Sequence, residues 1–164
     1  IESELLNHIS WAFGGVRRPS KFTCCDRRVC NECRDLTTVL EERTPETLTD
    51  QDLRHSNCLL SPEAFHYFLP GLIRISLPSG DPDSDLADGF ITDLCTPISK
   101  ASPPRCHRKA TAFTRQQTAA DGSKLAFLIY IRDNSDWEFG QLSREITRGI
   151  KNWQWFVQSH DESL

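Results

Sequence analysis

The sequence predicts an all-α fold, a single-domain bundle of five to seven helices with a proline-kinked helix at its centre. Apolar residues recur at three- and four-residue intervals over most of the chain. Several of these runs open on Ser-Pro-Glu or on Ser/Thr followed three residues later by Glu or Gln, the side-chain patterns that cap a helix start. At 164 residues, 38% hydrophobic and 26% charged, the chain has material for one sizeable core and excludes disorder.

The elements follow in order. Leu5, Leu6, Ile9, Ala12 and Phe13 line one face of a helix over Glu4 to Phe13, and Gly14-Gly15 ends it. Arg17 to Thr23, with Pro19, is a connecting loop. A second helix from about Arg28 to Arg43 carries Val29, Cys33, Leu36 and Leu40 on one stripe, and Thr44-Pro45-Glu46 opens a short turn. Ser61-Pro62-Glu63 then caps and starts the central helix over 62–77, whose face holds Ala64, Phe65, Phe68, Leu69, Leu72 and Ile73. Pro70 removes one backbone bond inside it and predicts a kink.

Ser79 to Asp85 is a loop, Leu86 to Leu94 a short helix, and Thr96 to Ala110, with three prolines, the least regular stretch. Thr114 to Gln117 fits a capping box. Asp121-Gly122 then allows either a turn before a buried strand over 124–131 or one uninterrupted helix, since so apolar a run has no decisive period. Ser135 to Glu138 is a second capping box, followed by Phe139, Leu142, Ile146, Ile150, Trp153 and Val157 on a last helix over 136–158.

The run Leu60-Ser61-Pro62-Glu63-Ala64-Phe65-His66-Tyr67-Phe68-Leu69-Pro70 resembles a family of small bacterial proteins of unknown function. Ile9-x-x-Ala12-Phe13, Cys30-x-x-Cys33, Ala112-Phe113-Thr114-x-x-Gln117 and Leu125-x-x-Leu128-x-Tyr130 are similar in order. The resemblance implies an all-helical fold, so it favours helix over strand for 124–131, and it implies no activity. The doubled Cys24-Cys25 and the Asp121-Gly122 pair depart from the family pattern.

Four of the seven cysteines, Cys24, Cys25, Cys30 and Cys33, fall within ten residues. Cys30-x-x-Cys33 at a helix start suits tetrahedral zinc, with Cys25 as a third ligand and Cys58, Cys106 or His107 as candidates for the fourth. Strong zinc modules carry two Cys-x-x-Cys pairs and this chain has one, so idle buried thiols or a redox pair are the competing readings. Arg27 and Arg28 are expected to lower the neighbouring thiol pKa values. The odd cysteine count favours a reducing cytoplasm. No apolar run approaches the length that spans a bilayer, and the acidic opening shows no signal-peptide pattern. A chain that starts with Ile and contains no Met is expected to have lost its first residues.

The net charge of -4 conceals segments of opposite sign. Residues 44–95 carry 2 basic and 9 acidic groups, and residues 96–132 carry 7 and 1. Internal neutralisation is the plain explanation; the sharper one is an acidic face, Asp81, Asp83, Asp85 and Asp88, offered to a basic partner such as a toxin or nuclease. Trp155 lies off the last helix's stripe and is a candidate partner anchor, while Trp11, Trp137 and Trp153 are expected in the core. Asp81 to Asp85 is no calcium loop, because Leu86 and Thr92 stand where Gly and Glu are needed. Arg17, Arg18, Lys21, Arg27 and Arg28, or Arg105 to Lys109, could meet phosphate, but no nucleic-acid module accompanies them. The five histidines are dispersed and no nucleophile elbow, phosphate loop or His-Glu-x-x-His motif occurs. A non-enzymatic cytoplasmic interaction protein, in its sharpest form an immunity-type inhibitor, is therefore the first expectation, a zinc-stabilised regulatory domain the second and a cysteine-dependent enzyme the third.

Overall fold

The computed structural model describes residues 2–25, 30–53, 59–77, 90–91, 94, 116–134, 144 and 146–154, apart from the side chains of 116–121, 123 and 134. The fold is all-α. Its helices are α1 (Glu2–Phe13), α2 (Asn31–Glu41), α3 (Asp50–Leu53), α4 (Pro62–Ile75), α5 (Gln116–Asn134) and α6 (residues 146–154). Among the described residues there is no strand, only an isolated antiparallel bridge between Thr23 and Leu60. No helix among them is long and apolar enough to cross a membrane.

The chain divides into two units, residues 1–15 with 91–164, and residues 16–90. In the first, α1 packs on α5. Ile9, Ala12 and Phe13 are buried on one side and Phe127, Leu128 and Ile131 on the other, and Tyr130 Oη donates to Glu2 Oε2 at 3.5 Å. α5 is continuous through Asp121-Gly122, so the strand alternative for 124–131 is discarded. The buried Trp153 donates from Nε1 to the Leu94 carbonyl at 2.9 Å, while Lys124, itself buried, holds Nζ 4.7 Å from the Trp153 ring centroid, a cation–π contact. Trp11 departs from expectation. It is 75% exposed, because Ile9, Ala12 and Phe13 define the buried face of α1 and position 11 falls outside it.

In the second unit α4 is the central element. Ser61 caps it by accepting from the Ala64 N–H at 3.1 Å, Pro62 occupies the first turn, and the helix runs on through Pro70 to Ile75. Phe65, Phe68, Leu69, Leu72 and Ile73 are buried, with Phe68 tilted against Phe22 at 6.1 Å and Phe65 against Phe90 at 6.0 Å. Gly71 is where α4 meets the turn after α2: a Cβ there would collide with the Pro45 carbonyl oxygen and press on Leu48. Arg74 secures the same turn, donating to the Leu48 carbonyl at 2.6 Å.

The turn itself, with Leu48 N–H donating to Thr44 O at 3.0 Å, leads to α3. There Asp52 accepts from the Thr49 N–H and hydroxyl and, bidentately at 2.9 Å, from Arg43. Arg18, a candidate phosphate contact in the sequence, is otherwise engaged. Its guanidinium donates to the Leu40 and Glu41 carbonyls at the end of α2, where the last carbonyls lack helical partners, and lies over Phe22 at 5.4 Å.

Candidate metal centre

Two local devices bring the cysteines together. The first is the start of α2. Cys30 occupies the N-cap in extended backbone (φ -117°, ψ 112°) and Cys33 lies three residues on, so both sulfurs fall near the helix's positive end. Cys33 is fully buried on the stripe it shares with Leu36, Thr37 and Leu40. The second device is the chain segment 22–25, held by the bridge to Leu60. Cys24 N–H donates to Leu59 O at 2.7 Å and Ser61 N–H to Phe22 O at 2.8 Å. Ser61 adds a hydroxyl bond to the Lys21 carbonyl at 2.6 Å, so one serine caps α4 and ties down the segment that carries Cys25.

Segment 22–25 runs beside α2. Thr23 Oγ1 lies 3.4 Å from Thr37 Oγ1, and one helical turn earlier Cys33 Sγ donates to Cys25 Sγ at 2.8 Å. The sulfurs of Cys25, Cys30 and Cys33 all lie within 4.8 Å of one another. A tetrahedral zinc with Zn–S bonds of about 2.3 Å needs sulfurs roughly 3.8 Å apart. The three fit that group after shifts on the order of 1 Å, and thiolates favour soft or borderline metals.

The electrostatics agree with a cluster awaiting positive charge. The Cys25 thiol is pushed up to about 12, by its hydrogen-bonded neighbour Cys33 first, then by burial and by Cys24. Adjacent sulfurs that ionise repel one another, so the last proton is held unless a cation replaces it. Among the described residues the governing neighbours of Cys25 are other thiols, whereas the sequence expectation named Arg27 and Arg28, which would lower it. Those two arginines lie outside the described residues.

The sequence named Cys25, Cys30 and Cys33 as candidate ligands, and the fold brings their three sulfurs together. Cys24 stands apart. It is exposed, its sulfur is 3.9 Å from that of Cys25, and it is not one of the mutually close set. What the sequence reading missed is the supporting pair Thr23–Thr37, whose one visible sign was a threonine four residues after Cys33 on a buried stripe. Thr37 also donates to the Cys33 carbonyl at 2.7 Å. The proposed partner-binding residues Asp81, Asp83, Asp85, Asp88 and Trp155, and the fourth-ligand candidates Cys58, Cys106 and His107, lie outside the described residues. No curated protein and no solved structure matches the chain. Over residues 1–155 the chain belongs to the family of unknown function DUF6714, in line with the expectation of a family without an assigned activity.

Proposed function

We propose that this protein is a zinc-stabilised helical domain in which Cys25, Cys30 and Cys33 hold a structural metal. The single observation that carries the reading is the convergence of these three sulfurs within 4.8 Å from two separate chain segments. The metal would lock the bridge segment to the start of α2, and through Ser61 to the start of α4, so its role is to fix the shape of residues 16–90. Sulfur-only donors suit a structural centre, because catalytic zinc keeps an open water position among mostly nitrogen and oxygen ligands. A raised Cys25 thiol also argues against an activated nucleophile there. Thiolate ligation implies a reducing compartment such as the cytoplasm.

The test is elemental analysis of protein made and purified with zinc and without chelator. About one zinc per chain is expected, falling well below that in Cys25→Ser, Cys30→Ser and Cys33→Ser. Wild-type protein that takes up no zinc, cobalt or cadmium discards the reading.

A recognition role, in its sharpest form inhibition of a basic toxin, is the second reading, and the exposure of Trp11 favours it, since indoles are frequent interface anchors. Co-expression with a toxin encoded beside its own gene is the check. Unprotected cells would count against it.

A further inference from the structure

Cys25 and Cys33 are held at a spacing between two bonding states. Their free sulfurs lie 2.8 Å apart. Tetrahedral zinc would spread them to roughly 3.8 Å, whereas a disulfide would draw them in to about 2.05 Å. Either state is reached by a shift of about 1 Å or less. We propose that Cys25 and Cys33 form a reversible disulfide under oxidation, and that this bond and the metal exclude each other. The thiol chemistry stands without a metal; only the exclusion rests on the metal reading above.

The fold favours this pairing. Cys24 Sγ, 3.9 Å from that of Cys25, is a rival in space. Its Cα, however, is only about 3.8 Å from that of Cys25 across a trans peptide. Disulfides take Cα separations of about 4.4–6.8 Å, so joining adjacent cysteines strains the backbone. Cys33 comes from a separate segment and escapes that restriction. It is anchored on the buried stripe of α2, where Thr37 donates to its carbonyl at 2.7 Å. The Thr23–Thr37 contact at 3.4 Å holds segment 22–25 alongside, so protein groups alone keep the two sulfurs together.

Exposure orders the steps. Cys25 is half-buried, whereas Cys33 is 0% exposed and closed to solvent. A small hydroperoxide, hydrogen peroxide in the simplest case, therefore meets Cys25 first. The Cys25 sulfur takes one peroxide oxygen, the O–O bond breaks, and the other oxygen leaves with the thiol proton as water. The sulfur of Cys33 then attacks the sulfenic acid on Cys25. The S–O bond breaks and the hydroxyl leaves with the Cys33 proton as a second water. Two thiols have given up two electrons and two protons, and one peroxide has become two waters. The raised Cys25 thiol keeps the first step slow, so the pair answers sustained oxidant rather than a brief pulse. Thiolates bind metal and disulfide sulfurs do not, so the bond leaves Cys30 alone of the three ligands. In a reducing compartment such a disulfide is transient and reports oxidation.

The full-length chain, stripped of metal and treated with hydrogen peroxide, tests the bond. Peptide mapping by mass spectrometry should find Cys25 joined to Cys33 with two hydrogens lost, and dithiothreitol should reverse the link. Zinc affinity should fall by at least about 100-fold on oxidation and return on reduction. In Cys33→Ser the Cys25 sulfenic acid should persist and be trapped by dimedone. The linkage map of the wild type needs no variant, so a serine protein that fails to fold does not obscure it. Cys24→Ser should oxidise and lose zinc as the wild type does. Peroxide-treated wild type with Cys25 unlinked, or linked to Cys24, Cys30 or any other cysteine, overturns the proposal. A Cys25–Cys33 disulfide form that binds zinc as tightly as the reduced protein overturns the exclusion. Reduced wild type that binds no zinc, yet forms this disulfide, overturns the metal reading and upholds the thiol pair.

Discussion

Gly71 and Asp52 show how single side chains hold the second unit together. At Gly71 the α4 backbone presses on the Pro45 carbonyl, so Gly71→Ala must push α4 and the 44–48 turn apart. Overpacking of this kind costs about 1–3 kcal/mol, and thermal or denaturant unfolding should show a loss in that range despite alanine's better helix propensity. Asp52 makes the opposite kind of contact. Burial works to raise its carboxyl, but the Arg43 guanidinium and the Thr49 hydroxyl and N–H together hold it below the usual carboxylate range. A carboxyl depressed in the folded state adds stability that is fully present above its unfolded pKa, about 3.9, and is lost as pH falls through the lower folded value. With the Asp52 side chain only 7% exposed, Asp52→Asn should cost about 2 kcal/mol at neutral pH and flatten the stability profile on the acid side. A substitution that leaves the acid limb of the unfolding curve unchanged would remove Asp52 as its source.

Helices were legible to the extent that their signals are local. Ser61-Pro62-Glu63 states the start of α4 in three adjacent residues, and the cap forms as its chemistry requires. The ambiguity at Asp121-Gly122 was also local. Glycine lowers helix preference by about 1 kcal/mol but cannot by itself end a helix, and α5 passes through it with open space where a Cβ would stand. Gly122→Ala should therefore stabilise the protein by roughly 0.5–1 kcal/mol, opposite in sign to the same change at Gly71. A lower melting temperature for Gly122→Ala would show that position 122 does more than lengthen a helix. The bridge between 22–24 and 59–61 was not legible. It involves too few residues for a period, and its partners are far apart in sequence. The zinc-like spacing of Cys30 and Cys33 could be read directly, but the arrival of Cys25 beside them depends on that non-local pairing. The raised Cys25 thiol depends on the same pairing, because Cys33, the neighbour that raises it most, is brought beside it in space.

At the scale of the whole chain, two units divide the consequences of metal loss. The cysteine cluster, the bridge and α4 all belong to residues 16–90, whereas α1 and α5 pack on each other within the other unit. A bound metal stabilises whatever must fold to form its site, by about 4 kcal/mol when free metal exceeds its dissociation constant a thousandfold. Chelation should remove that increment first from the elements wired to the cluster. Ser61 links the Cys25 segment to α4, and Thr37 links it to α2, so these elements have the shortest mechanical path to the metal. Hydrogen exchange followed by mass spectrometry gives the readout along the chain. With zinc, amides in α2 and the first turns of α4 should exchange slowly; with chelator they should exchange markedly faster. Amides in α1 and α5 should change far less, because the Ile9, Phe13, Phe127 and Ile131 packing holds without any sulfur. Equal loss of protection in all four helices would mean that the two units unfold as one and that the metal governs both. No loss anywhere would mean that the second unit's shape is set by Phe22, Phe65 and Phe68 and owes nothing to the cluster.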